Sequence, residues 1–396
     1  MPHTRTLLAI PLAVTLIGLA SASAPPAAKP AADATLPLLV TRGKAPAAAL
    51  LAREAPWSTT TPGAPAPPPD RQTTQRPLWH FAHANRPTAD ATAPGTDGNP
   101  APAAGTEPDN DGAAARIRRT DHFRAGSITK TFIATVILQL AAEHRLSLSD
   151  PVKRHLPGLF RDSDPEDRAL TLRSLLTHTS GLADYYTTGA KGPVPLTPTE
   201  AVRTALALPA TTPGRWSYSN TNYVVLGMVI KQVTGRSYAA ETARRILTPL
   251  RLSGTSFPGT RTTLPSPHGR AYTSEGQDVT ALNPGGAGAA GELISTLADL
   301  NRFYAALLAG RLLPMTQLRQ MLNTRAAQGR YGMGVYPQKL PCGTTVWGHN
   351  GRISGSYVRT AATRDGDRVL TFRVNTDERV DPALERTLLA AQFCPR

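Results

Sequence analysis

Residues 123–132 read FRAGSITKTF, and the interpretation of the whole chain turns on them. Ser127 and Lys130 stand three apart where an apolar stripe begins: Phe132, Ile133, Val136, Ile137 and Leu140 recur at helical spacing through residues 129–143. One helical turn therefore carries both side chains to one face. The start of a helix adds positive potential and unpaired backbone N–H groups near the serine. A serine hydroxyl becomes a nucleophile when a base stands beside it. A lysine is such a base if burial or a neighbouring cation drives it toward the neutral amine. The same residues also fit a plainer reading, a serine N-cap followed by a surface lysine. The stretch by itself does not choose between them.

Its company does. Residues 215–223 read RWSYSNTNY, placing Tyr218 and Asn220 two apart in an extended turn ahead of a helix over 223–234, with Gly235 as its C-cap. Residues 346–355 read VWGHNGRISG: an apolar strand entry running into an exposed polar turn, with His349 and Asn350 held between glycines. Three short polar elements thus follow one another at wide separation, each at an element boundary. His178 in the THTSGL run, with Asp184 nearby, suggests a Ser-His-Asp triad. A triad needs a histidine that reaches the nucleophile and an acid that orients it. There is no G-x-S-x-G elbow, and Lys130 is already a candidate base, so a structural role for this loop is the simpler reading. Trp79, Trp216 and Trp347 are expected to pack, as buried aromatics do.

The rest of the chain supplies a frame for these elements. Apolar strands are expected over 47–53 and 78–84, joined as a hairpin across a Pro/Ala-rich insert at about 56–77. A second such insert covers about 86–115. The competing account, a disordered stalk to about residue 115, leaves both apolar runs unexplained. Short helices are expected at 172–177 and 296–308, the latter capped by Ser295 or Thr296. Strands follow at 346–347, 357–363 and 368–375, with a turn at 364–367, and then a closing helix at 381–393. The pattern predicts an α/β fold with an antiparallel sheet completed by both ends of the chain. A helical lobe (about 126–289) is inserted between the halves of an α/β lobe (about 34–125 and 290–396).

At 396 residues and 40% hydrophobic content, the chain can bury a substantial core. Arg5, the apolar run 7–20 and the small residues Ala20-Ser21-Ala22 have the form of a secretory signal peptide over 1–22. Residues 23–33 then form a short pro-segment or linker. Pro11 and Gly18 interrupt the apolar run, which is too short for a membrane span, so an integral membrane protein is not expected. Export to an oxidising compartment makes the even cysteine count suggest one disulfide, Cys342 with Cys394. Closing a loop of about 50 residues is worth roughly 4 kcal/mol. No metal-ligand spacing is present, so neither metal nor cofactor is expected. Net charge of +15 admits nucleic acid or an anionic wall polymer as partner. No basic cluster with interleaved aromatics is present, so nucleic acid is not expected.

The motif order S-x-x-K, Y-x-N, H-x-G resembles the serine β-lactamase and penicillin-binding protein superfamily. Within it the chain resembles the secreted D-alanyl-D-alanine carboxypeptidases of the class-C-β-lactamase-like branch. The stretches LLTHTSGL, YSNTNYVVLGMVI and YGMGV add to the likeness, which covers about residues 34–396. The resemblance implies a β-lactamase/transpeptidase-like fold and a monomer without cofactor. It implies that Ser127 forms an acyl-enzyme with peptidoglycan stem peptides and is acylated by β-lactams. Lys130 and Tyr218 would share the proton, Tyr218 either deprotonated or hydrogen-bonded. Asn220 would hold the substrate amide and the Lys130 amine. The N–H groups of Ser127 and Arg352 would form an oxyanion hole. His349, Asn350, Gly351 and Arg352 would line the substrate edge. The chain departs from that branch where Asn350 replaces the usual Thr and Tyr336 an Arg expected soon after the YGxG run. It also lacks a tryptophan in 284–291. A terminal carboxylate is therefore held less well, though His349 could add positive charge. Esterase, β-lactamase and D-aminopeptidase are the related alternatives. A non-catalytic wall-binding module is the alternative of another kind.

Overall fold

The computed structural model describes residues 32–54, 78–83, 117–160, 170–187, 197–378 and 380–395. The signal-like segment 1–22 and both Pro/Ala-rich inserts lie outside the described residues. Six strands form the main sheet, in the order β2-β1-β8-β7-β6-β5. They are β1 (Ala47–Glu54), β2 (Leu78–His83), β5 (Tyr336–Lys339), β6 (Thr345–Ile353), β7 (Ser356–Ala362) and β8 (Arg368–Val374). Every neighbouring pair is antiparallel. The expected hairpin of β1 and β2 is therefore present, and both ends of the chain complete one sheet. A separate two-stranded pair, β3 (Phe123–Arg124) with β4 (Ile294–Ser295), braces the turn that carries Ser127.

Period-two alternation puts the two faces of the sheet into two cores. Ala47, Ala49 and Leu51 of β1 join the core shared with the helices, whereas Ala48, Leu50 and Ala52 face the opposite way. That opposite face is covered by α8 (Pro382–Phe393), through Leu384, Leu388, Leu389 and Phe393, and by two short helical segments, Ala32–Thr35 and Pro37–Thr41, with Leu36 between them and Leu39 in the second. The other face carries α1 (Thr129–Ala142), α2 (Leu172–Leu176), α3 (Pro198–Leu206), α4 (Asn220–Thr234), α5 (Gly288–Gly291), α6 (Leu297–Leu308) and α7 (Met315–Met321). At the centre of this packing, Phe132 of α1 stacks on Phe303 of α6 with ring centroids 3.7 Å apart.

Local signals explain most boundaries. Thr296 caps α6 by accepting from the N–H of Asp299, and Gly235 ends α4 in the left-handed region at φ 73°. The sequence reading missed α3, although Thr197 and Glu200 form a capping box with Pro198 at the first turn. It started α4 three residues late. The largest correction concerns residues 346–355. These are not a strand entry and an exposed turn, because β6 runs through to Ile353 and His349 is only 1% exposed. Among the described residues, no helix is long and apolar enough to cross a membrane. Cys342, in the turn between β5 and β6, is bonded to Cys394 at the end of α8.

Candidate active site

Ser127 lies in a 3-10 turn, Gly126–Ile128, just ahead of α1. It does not cap the helix: the N-cap position is Ile128, without any side-chain bond. Its hydroxyl instead accepts from Tyr218 Oη at 2.8 Å and meets Lys130 Nζ at 3.1 Å. Lys130 has no exposed surface, which removes the surface-lysine reading. The turn is held from both sides. Thr129 Oγ1 donates to Gly126 O at 2.6 Å and accepts from Leu293 N–H at 3.1 Å. Strand β6 presses on it backbone to backbone. A Cβ on Gly351 would lie 1.8 Å from Ala125 O, and one on Gly126 would lie 2.7 Å from Arg352 N. Gly351 thus keeps the strand against the nucleophile turn, and the backbone of Arg352 borders the serine.

Lys130 Nζ also reaches Asn220 Oδ1 at 2.8 Å and Ala290 O at 2.7 Å. Burial draws its pKa down to about 7, against the charge of Asp184, which favours the ammonium. A neutral amine gives its two hydrogens to these two acceptors. Its lone pair is then left for the serine proton. Asn220, the first residue of α4, donates through Nδ2 to Asp184 at 3.2 Å and 3.0 Å. Packing around the Tyr218 phenol pushes its pKa well above the ordinary tyrosine value. The phenol is therefore a protonated hydrogen-bond donor, and the tyrosinate alternative is set aside.

His178 is fully buried, its ring centroid 4.4 Å from that of Tyr218. Its Nδ1 accepts from Ser219 N–H at 3.3 Å and from Asn222 Nδ2 at 3.0 Å, and burial keeps it neutral. Asp184 turns to Asn220 rather than to this ring, so the two residues form no triad. His349 is neutral too: burial draws its pKa down to about 3. Its Nδ1 donates to Asn350 O at 2.5 Å, while Nε2 accepts from Tyr331 Oη at 2.8 Å. The expectation that His349 adds positive charge is thereby corrected; it braces the site with Tyr331, whose position the YGMGV run had marked.

Two cavities meet at Ser127. The smaller, about 380 Å³, is lined by Tyr185, Tyr186, Asn220, Ala287, Ala290 and Arg352 among others. Its aromatic wall comes from the loop after His178, not from residues 284–291. The larger, about 720 Å³, includes Trp216, Arg330, Tyr336, Asn350, Arg352 and Arg386. Trp216 is thus a cleft residue rather than a packing one, with the Arg330 guanidinium 5.5 Å from its ring centre. Asn350 Oδ1 accepts from Tyr336 Oη at 3.2 Å, which leaves its amide hydrogens for a ligand. Arg359 is fully buried, its guanidinium 4.6 Å from the Tyr336 ring, and is held by Glu385 at 3.2 Å. A nucleophile with a buried amine, a phenol and a two-sided cleft is suited to acyl transfer.

A protein-family model described as Beta-lactamase matches residues 97–393. The putative penicillin-binding protein PbpX of Bacillus subtilis (strain 168) is 33% identical over 218 residues, which are 54% of this chain and 53% of PbpX. The match therefore spans only about half the length of that curated relative. Among solved structures, a D-stereospecific amidohydrolase from Streptomyces sp. is 36% identical. The alignment covers 92% of this chain and 98% of that one, with a TM-score of 0.72. The D-amino acid amidase of Ochrobactrum anthropi SV3 is 24% identical with a TM-score of 0.69, covering 91% of this chain and 96% of the other, a likeness of fold.

Proposed function

The chain belongs to the Beta-lactamase family, and from that premise we propose that it is a serine amidohydrolase acting on amide bonds of D-configured residues through an acyl-enzyme at Ser127. One observation carries the reading: Ser127 Oγ lies between the Lys130 amine and the Tyr218 phenol, at the junction of two cavities. Ser127 attacks the amide carbon while its proton passes to neutral Lys130. The Tyr218 phenol gives its proton to the departing amine and regains one from the Lys130 ammonium. The N–H groups of Ser127 and Arg352 hold the oxyanion, a contribution of about 3 kcal/mol in the transition state. Water then releases the acyl group by the reverse proton path. Specificity for a D residue rests on the likeness to the Streptomyces amidohydrolase over nearly the full length of both chains.

A narrower reading is the D-alanyl-D-alanine carboxypeptidase of peptidoglycan stem peptides. Arg330, Arg352 and Arg386 around the larger cavity favour it, because they suit a leaving group with a free carboxylate. Both readings include export, for which the signal-like residues 1–22 and the Cys342–Cys394 bond argue. The test uses a labelled penicillin, D-alanine p-nitroanilide with its L counterpart, and a diacyl tripeptide ending in D-Ala-D-Ala. The wild type is expected to form a penicillin adduct and to cleave the D anilide but not the L form. Ser127→Ala is expected to lose the adduct and about ten-thousand-fold in turnover. Release of D-Ala from the tripeptide selects the carboxypeptidase. No adduct and no turnover of any amide would overturn the proposal.

A further inference from the structure

Asp184 lies near His178 in sequence, but in the structure it faces Asn220. Its surroundings are well built. Ala183 O accepts from Ser219 Oγ at 3.0 Å and from Thr221 Oγ1 at 2.6 Å. Tyr185 N–H donates to the same Thr221 hydroxyl at 3.2 Å. The backbone on both sides of Asp184 is thus pinned to the first turn of α4. The carboxylate itself accepts from Tyr186 N–H at 3.1 Å, and both its oxygens face Asn220 Nδ2.

An asparagine amide has two ends of opposite character, and only one suits a neighbouring amine as acceptor. A carboxylate accepts and never donates when ionised, so it admits Asn220 in one orientation only, with Nδ2 toward itself and Oδ1 toward Lys130. We infer that Asp184 is a positioning residue: it locks the Asn220 amide so that Asn220 Oδ1 takes a hydrogen from Lys130 and leaves the amine's lone pair on Ser127. The inference rests on the proposed acyl-serine chemistry for its meaning, but its geometry can be tested apart from it.

A second effect runs in parallel. Asp184 favours the Lys130 ammonium, opposing the burial that lowers its pKa. The other groups around the amine are Tyr218 and Tyr223, their ring centres at 4.9 Å and 5.6 Å, and the neutral rings of His178 and His349. None supplies a compensating negative charge at neutral pH, since each tyrosine pKa is raised. Loss of the Asp184 charge therefore moves the titration of Lys130 to lower pH.

The experiment compares the wild type with Asp184→Asn and Asp184→Glu in the full chain, using protein labelled at lysine Cε. By NMR titration, Lys130 is expected near pH 7 in the wild type. It should fall by about half a pH unit or more in Asp184→Asn and return toward the wild-type value in Asp184→Glu. In turnover, Asp184→Asn should lower kcat roughly 10-fold or more, since a hydrogen bond to a charged group is lost. The loss should be equal for D-alanine p-nitroanilide and its N-acetyl form, with KM little changed. An unmoved Lys130 titration would overturn the inference. A KM defect confined to the free-amine substrate would overturn it as well, and would assign Asp184 to the substrate ammonium. Failure of the wild type to acylate Ser127 would sink the functional reading alone, because the titration is read without substrate.

Discussion

Lys130 concentrates the chemistry and the cost of this site in one side chain. With a pKa near 7 in the fold, against about 10.4 for a free lysine, it is half neutral at pH 7. If the neutral amine is the base, kcat/KM should rise with pH, with a midpoint near 7. It should then hold level to about pH 9, because Tyr218 ionises only above the ordinary tyrosine range. A profile flat from pH 5 to 9 would exclude Lys130 as the titrating base. The sign for stability follows from the same depression. Between about pH 7 and 10.4 the unfolded chain binds a proton on this lysine that the folded chain does not, so stability gains as pH rises through that window. Ser127, Lys130, Tyr218 and Asn220 were legible together, as motifs in a fixed order whose roles the family resemblance implies, and not from the spacing of any one pair. The link from Asn220 to Asp184 was not, because residues 36 apart in sequence are joined only by the packing of a loop on the first turn of α4. The structural reading of the His178 loop agrees with its burial, whereas the positive charge expected of His349 is lost because burial makes that ring neutral too.

At the scale of elements, β6 shows why a polar stretch was taken for a turn. Its residues pair with β7 from Trp347↔Ala362 through Ile353↔Ser356, so His-Asn-Gly-Arg is regular strand. The apolar alternation that marks a half-buried strand is absent because β6 uses its side chains on the site: His349 holds Tyr331, and Asn350 faces the larger cavity. The glycines are explained by neighbours rather than by turns. With 1.8 Å between an added Cβ and Ala125 O, Gly351→Ala requires the strand or the nucleophile turn to move. We expect it to destabilise the fold by about 1–3 kcal/mol, the usual cost of overpacking. We also expect acylation by penicillin to slow about 100-fold, since a shift near 1 Å at the reacting atoms has that effect. Denaturant melts and stopped-flow acylation measure the two quantities. A stable variant with wild-type acylation would show that contact between β6 and the Ser127 turn does not set the geometry. Where caps and periodicity act locally, as at Thr296 and Gly235, the elements were readable. Where a strand is defined by what it touches, they were not.

At the scale of the whole molecule, the sheet is closed by segments from both ends of the chain, and the disulfide reinforces the last of them. α8 buries Leu388, Leu389 and Phe393 on the sheet, and Arg368 Nη1 donates to Phe393 O at 2.9 Å. The end of the helix is therefore docked by packing as well as by the bond from Cys394 to the β5–β6 turn. Its opposite end, at Pro382, Glu385 and Arg386, lines the larger cavity. The bond thus acts far along the helix from the cleft, and its main effect falls on the unfolded chain, whose freedom it restricts across a sequence separation of 52. Removing both thiols with Cys342→Ser and Cys394→Ser should lower stability by about 2–4 kcal/mol. At 25 °C it should leave kcat/KM within about two-fold, because packing still holds the N-terminal turns of α8. Hydrogen exchange is expected to rise at the C-terminal turn of α8 and not at Glu385, whose Oε1 remains bound by buried Arg359 at 3.2 Å. If activity fell in step with stability, or exchange rose along the whole helix, the disulfide would be shaping the cleft itself. The even cysteine count foretold the pairing; that the bond lies at the helix end remote from the cleft depends on where α8 docks, which no spacing encodes.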